Sequence, residues 1–145
     1  MIIAIDFDGT CVSHEFPRVG KDIGAVPVLK KLIANGHKLI LYTMRSDVEN
    51  VPSPEFEGMF TGTYLTDAIE WFKKNDIELY GIQTNPTQNE WTTSPKCYAE
   101  LYIDDAALGC PLIYNRADRP FVDWFKVEKE LTKKRLINNN FKMFL

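Results

Sequence analysis

Residues 2–10 read Ile2-Ile3-Ala4-Ile5-Asp6-Phe7-Asp8-Gly9-Thr10. A short apolar run closed by a turn signal reads as a strand buried on both faces, as in parallel sheets. This strand then runs into two carboxylates one residue apart. Similar apolar runs follow at 37–43 (HKLILYT), 77–83 (IELYGIQ) and 99–105 (AELYIDD), with a possible fifth at 111–115 (PLIYN).

The segments between these runs carry helical spacing. In 25–36, Val26, Leu29, Leu32 and Ile33 share a face and Gly36 stops the helix. In 64–76, Leu65, Ile69 and Phe72 point inward, with Asp67 early and Lys73 and Lys74 late, which suits the helix dipole. The stretch 120–136 reads as a last helix, with Pro120 near its start and Phe121, Trp124, Val127 and Leu131 on one face. Strands alternating with helices predict an α/β fold with a mainly parallel sheet of about five strands. Residues 44–62 show no period and hold Pro52, Pro54 and Gly58, so they read as a long loop, suited to a lid or binding surface.

The 145 residues fit one domain, 1–145, large enough to bury a core without staples. With 45% hydrophobic and 26% charged residues, the composition is that of a soluble globular protein. The net charge of -3 offers no broad basic surface to a nucleic-acid backbone, although a local basic groove remains compatible with it. Cys11, Cys97 and Cys110 are odd in number and lack C-x-x-C spacing, so they read as reduced thiols. No leader and no membrane-crossing run is visible, and the expected compartment is the cytoplasm, with no membrane partner. The terminal NNNFKMFL reads as a tail packed on the body or on a second copy in a homo-oligomer.

In parallel α/β sheets, ligands bind beyond the carboxyl ends of the strands. At that edge this sequence places Asp6 and Asp8, then Thr43, then Asp104 and Asp105. Asp6 and Asp8 are two apart, so an extended backbone points them to the same side. Four acids cannot stay ionised together without a cation, and an all-oxygen set suits a hard ion such as Mg2+. Gly9 permits a tight turn that brings backbone N–H groups toward an anion. Taken singly, an Asp-Gly after a strand fits a turn and an Asp-Asp fits a cap. Their joint appearance at strand ends, with Thr43 between, points to a site.

At these residues the sequence resembles the haloacid dehalogenase superfamily of phosphotransferases. The resemblance rests on Asp6-Phe7-Asp8-Gly9-Thr10 after an apolar strand, on Thr43 closing LILYT, on Lys96 in SPK, and on Asp104-Asp105 after YI. It implies a Rossmann-like three-layer α/β/α core and a Mg2+-dependent phosphomonoester hydrolase. In that family pattern Asp6 is the nucleophile that forms an aspartyl-phosphate, and Asp8 is the general acid and base. Thr43 would hydrogen-bond the phosphoryl oxygens; apart from the family pattern, the turn at Gly9 and Thr10 and the guanidinium of Arg45, two residues past Thr43, are the expected further contacts of the phosphorylated substrate. Lys96 would neutralise charge, although it lies only eight positions before Asp104 and also reads as a solvated surface lysine. Asp6, Asp8 (through its carbonyl), Asp104 and Asp105 would hold the metal. The gaps 9–24 and 83–95 are too short for the cap domain that many members carry, which implies an open site. Two alternatives stand beside the phosphatase reading: a nucleotidase or polynucleotide-end phosphatase, and a non-catalytic binding module of the same fold.

Overall fold

The apolar run at the amino end forms β1 (Ile2–Ile5), followed by α1 (Ala25–Ala34), β2 (Lys38–Leu41), β3 (Asp47–Pro52), β4 (Met59–Thr63), α2 (Tyr64–Lys74), β5 (Leu79–Ile82), β6 (Leu101–Ile103), β7 (Leu112–Ile113), β8 (Phe121–Val122) and α3 (Trp124–Lys133). The computed structural model describes residues 1–52 and 59–138. The C-terminal tail from 139 onward, read as packing on the body or a second copy, lies outside the described residues.

The central sheet is parallel, in the order β5-β2-β1-β6. β1 sits inside it, which accounts for its unbroken apolar run. Strand alternation sorts the side chains. Ile3, Ile5, Leu39, Leu41 and Ile103 join Val28, Leu29 and Leu32 of α1, Ala68 and Phe72 of α2, and Val127 and Leu131 of α3 in one core cluster. Phe7 extends that row, with its ring 5.6 Å edge-on to Trp71 and 6.2 Å from Phe72. Each large apolar side chain fully buried there contributes about 1.5–3 kcal/mol. The opposite row holds Ala4 and Ile40, also buried, in register with Tyr102. The Tyr102 hydroxyl donates to the Cys97 carbonyl at 2.6 Å. That face is thus covered by the connection between β5 and β6, whose regular structure is one 3-10 turn, Gln88–Glu90, in place of the expected second helical layer.

The three helices among the described residues stop in the same way. The N–H groups of Gly36 and His37 return to the Ile33 and Leu32 carbonyls, those of Asp76 and Ile77 to Lys73 and Phe72, and those of Arg135 and Leu136 to Thr132 and Leu131. In each case the first residue of the pair has a positive φ, the left-handed position that closes a helix.

Three sequence expectations need correction. The fifth strand is not in the main sheet, because β7 pairs antiparallel with β8 in a separate two-stranded ribbon. The last helix begins at Trp124 rather than near Pro120, because the Asp123 carboxylate accepts the Lys126 N–H at 3.2 Å and sets the cap there. Phe121 is therefore in a strand and not on the helix face. The expected loop 44–62 overlaps the β3–β4 antiparallel pair, its portion 53–58 with Pro54 and Gly58 lying outside the described residues, and a register shift between Val48 and Val51 removes the period-two signal that would have exposed the pair. Asp47 of β3 accepts the Thr66 N–H at 2.9 Å and so caps α2 from outside its own chain segment.

Candidate active site

The hydrogen-bond ladder of β1 continues one residue further, with the Asp6 N–H donating to the Ile103 carbonyl at 3.0 Å. Phe7 turns into the core, so Asp6 and Asp8 project the other way and both line a cleft of about 440 Å³. Thr43, Asp104 and Asp105 line the same cleft, together with His14, Phe16, Met44, Arg45 and Arg119. A second hollow of about 460 Å³ between β6 and α3 is walled mainly by apolar groups such as Leu101, Ile103, Pro111 and Leu131, and gathers no acid cluster.

Asp6, Asp104 and Asp105 each present a carboxylate oxygen, and these oxygens lie within 4.8 Å of one another. Thr10 holds two of them in place. Its fully buried hydroxyl is 2.9 Å from Asp6 Oδ2 and 3.3 Å from Asp105 Oδ1, and it accepts the Asp105 N–H at 3.0 Å. The Thr10 carbonyl is fixed in turn by the Trp124 indole N–H at 2.7 Å. Gly9 lies at φ +79, and a Cβ there would overlap the Asp105 carboxylate. The missing side chain is thus what lets β6's acids approach the first loop.

This crowding shows in the protonation of the cluster. The Asp6 carboxyl is pushed from 3.8 up to about 8, chiefly by burial, then by the neighbouring Asp105 and Asp104, against the lowering effect of Thr10 and the Phe7 N–H. Asp104 is also raised, by burial first. A carboxyl that holds its proton more tightly when folded supports stability fully below its unfolded pKa and loses that support as pH rises through the folded value. The metal-free protein is therefore expected to lose stability, on the order of a few kcal/mol, between about pH 4 and pH 8. Thermal melting in EDTA across that range checks this, with Asp6→Asn as the comparison that should flatten the curve. A wild-type profile parallel to that of the variant would count against it.

Asp8 has a different partner from the one its neighbour has. Both of its oxygens accept from Arg45, Nε and Nη2 each at 2.8 Å, in a bidentate pair. Its carboxylate stands outside the Asp6–Asp104–Asp105 cluster. Arg45 is also corrected. It is only 2% exposed, and its remaining donors go to the carbonyls of Tyr64 at 3.0 Å, Arg18 at 2.8 Å and Pro17 at 3.4 Å. A guanidinium has five N–H groups, and here all five are committed within the protein. Arg45 positions Asp8 and has no donor left for a substrate.

The expected backbone cradle is likewise occupied: the Gly9 N–H donates to Val12 at 2.8 Å and the Thr10 N–H to Phe7 at 3.0 Å. Neither is free for an anion, so Gly9 and Thr10 shape the site without contacting what enters it. Thr43 keeps its assigned place. Its hydroxyl oxygen accepts the Arg45 N–H at 3.1 Å, which leaves the hydroxyl proton available to an anion. Its backbone is clamped by Gln83, whose amide accepts from the Thr43 N–H at 2.9 Å and donates to the Thr43 and Arg45 carbonyls at 2.7 and 3.0 Å. Gln83 itself sits at φ 66, a strained position for a side chain of this size. The sequence reading missed it, although it stands at the carboxyl end of a strand, where the other site residues stand.

Lys96 is not in the cleft. It is exposed, with its ammonium 5.7 Å from the Tyr102 ring centroid, on the sheet face away from the helices. Trp91 packs on Tyr98 at 5.3 Å, also outside the cleft, while Tyr64 lies behind Phe16 at 5.2 Å. Cys11, Cys97 and Cys110 are free thiols, and burial pushes each above the usual thiol range, so none is poised as a nucleophile. Among the described residues, no helix is long and apolar enough to cross a membrane.

No family model matches the chain, and no curated protein does. Among solved structures, a conserved protein coded by a locus of Bacteroides thetaiotaomicron is 32% identical, with 92% of this chain and 91% of that one covered at a TM-score of 0.66.

Proposed function

We propose that this chain, which belongs to the same family as the conserved Bacteroides thetaiotaomicron protein, is a Mg2+-dependent phosphomonoester hydrolase with a Rossmann-like core of the haloacid dehalogenase type. The observation that carries the reading is the convergence of Asp6, Asp104 and Asp105 beside Asp8 and Thr43 in one open cleft. Three hard oxygen donors of like charge, two of them held by Thr10, match a small divalent cation better than any neutral ligand. Asp6, Asp104 and Asp105 would hold Mg2+, which when bound supplies the charge that offsets these acids and the phosphoryl oxygens.

In the first half of the reaction an Asp6 oxygen forms a bond to phosphorus as the bond to the leaving oxygen breaks. The leaving oxygen takes its proton from Asp8. In the second half, water attacks the phosphorus of the aspartyl-phosphate, its proton passes to Asp8, and the bond to Asp6 breaks to release orthophosphate. Thr43 donates its hydroxyl to the phosphoryl oxygens. The Arg45 fork suits Asp8 for the second half, as a carboxylate that takes a proton from water. For the first half, one guanidinium donor has to give way to the proton that Asp8 carries.

A nucleotide substrate is the second reading, favoured by Phe16 and Met44. They line the cleft with 48% and 97% of their surfaces exposed, an apolar lip on which a planar base could rest. A non-catalytic module would bind the metal and an anion without turnover.

Hydrolysis of p-nitrophenyl phosphate by the pure full chain, first in Mg2+ and then in EDTA, tests the assignment. Turnover lost in EDTA and restored by Mg2+ is the expected result. Asp104→Asn should raise the Mg2+ concentration needed by at least about tenfold. Turnover that persists in EDTA would remove the metal, and an unchanged requirement in the variant would remove Asp104 from its site. Nucleoside monophosphates and sugar phosphates run in parallel separate the first reading from the second.

A further inference from the structure

Phosphoryl transfer needs positive charge on the transferring group from the protein as well as from a metal. The cleft has four carboxylates and, of the cations the sequence suggested for this task, Lys96 lies outside it and Arg45 has every donor engaged. Two groups on the cleft wall remain able to carry positive charge, His14 and Arg119. Arg119 is exposed, and among the described residues it has no hydrogen-bond or ion-pair partner.

Its placement is built rather than incidental. Arg119 lies in the turn of the β7–β8 ribbon. That ribbon is pinned to the nucleophile's loop by the Val122 N–H, which donates to the Gly9 carbonyl at 2.9 Å, and its own two arms are tied at the base by the Asp123 N–H donating to the Pro111 carbonyl at 2.8 Å. The turn is ordered from within, because Asn115 Oδ1 accepts the N–H groups of Ala117 and Asp118 at 2.8 and 2.9 Å. An unpartnered guanidinium is thus carried to the mouth of an acidic cleft by a hairpin anchored next to Asp6.

We propose that Arg119 grips the phosphoryl group of the substrate, supplying from downstream of the last acid pair the charge that Lys96 does not supply. The proposal rests on the phosphatase reading and names a binding residue within it. A guanidinium is suited to the task because its planar fork meets two phosphate oxygens at once.

The test is binding of inorganic phosphate to the full chain in saturating Mg2+, by titration calorimetry, for wild type, Arg119→Ala, Arg119→Lys and Lys96→Ala. Steady-state kinetics on p-nitrophenyl phosphate accompany it. Arg119→Ala should weaken phosphate binding by about 10- to 100-fold and raise KM, with the melting temperature and Mg2+ affinity kept, and Arg119→Lys should recover part of the loss. Binding in Arg119→Ala within twofold of wild type, or a loss confined to Lys96→Ala, would overturn the proposal while leaving the phosphatase reading in place. Failure of wild type to bind phosphate or turn over substrate would overturn both.

Discussion

Asp6→Asn is expected to lower turnover by at least about four orders of magnitude while the protein remains folded. The argument is one of chemistry and shape together. An amide has the volume of the carboxylate but no oxygen able to form the covalent intermediate, so the whole two-step route closes. The fold has little reason to object. Asp6 is only half-buried, the Thr10 hydroxyl can still donate to an amide oxygen, and one negative charge leaves a crowded cluster. In the absence of metal the variant should be at least as stable as wild type above neutral pH, since the raised Asp6 carboxyl is the group whose ionisation opposes folding there. Rate measurements at saturating substrate, with thermal melts in EDTA, examine both halves. Turnover within a hundredfold of wild type would dismiss Asp6 as the nucleophile.

Arg45→Ala should have the largest effect on stability, about 3–5 kcal/mol. Its guanidinium pairs with Asp8 and also ties together carbonyls from the first loop, at Pro17 and Arg18, and from the start of α2, at Tyr64. Truncation leaves a largely buried carboxylate unpaired and three carbonyls short of a donor, and both are costly. Turnover should fall as well, since Asp8 loses the fork that aims it. Arg45→Lys offers a point charge and cannot reproduce the two-pronged contact, so it should recover only a fraction. The decisive comparison is Arg45→Ala combined with Asp8→Asn. If the cost is the orphaned charge, urea denaturation of the double variant should show a smaller loss than additivity allows. A loss below about 1 kcal/mol in the single variant would place the pair with ordinary surface ion pairs.

The parts of this molecule that were legible in its sequence are those governed by a local period or a strand end. The four strands of the sheet announced themselves as short apolar runs, and the first two helices through helical spacing. Asp6, Asp8, Thr43, Asp104 and Asp105 announced themselves because each ends an apolar run. What stayed hidden depends on contacts distant in sequence. Arg45 looked like an anion contact because nothing in LYTMRS reveals that Asp8, 37 positions earlier, would claim it. Lys96 matched a motif of one residue, and whether such a lysine reaches the site depends on how the irregular chain between β5 and β6 crosses the sheet. Arg119 sits in a polar turn with no period at all, and only the pairing of β8 with the Gly9 loop brings it to the cleft. The β3–β4 pair was masked by its own register shift, and β7 read as a sheet strand because two residues cannot disclose which partner they will choose.

The absent side chain at Gly9 makes the acid cluster vulnerable from a position that supplies none of its carboxylates. Any larger residue there must expel the Asp105 carboxylate or bend the loop that begins with Asp6. A survey that replaced the acidic residues one at a time would describe the carboxylates well and overlook the position that fixes the distance between the two loops bearing them. In the course of sequence drift, a single methyl group at this point would be enough to break up the acid cluster while leaving every acidic residue in the sequence.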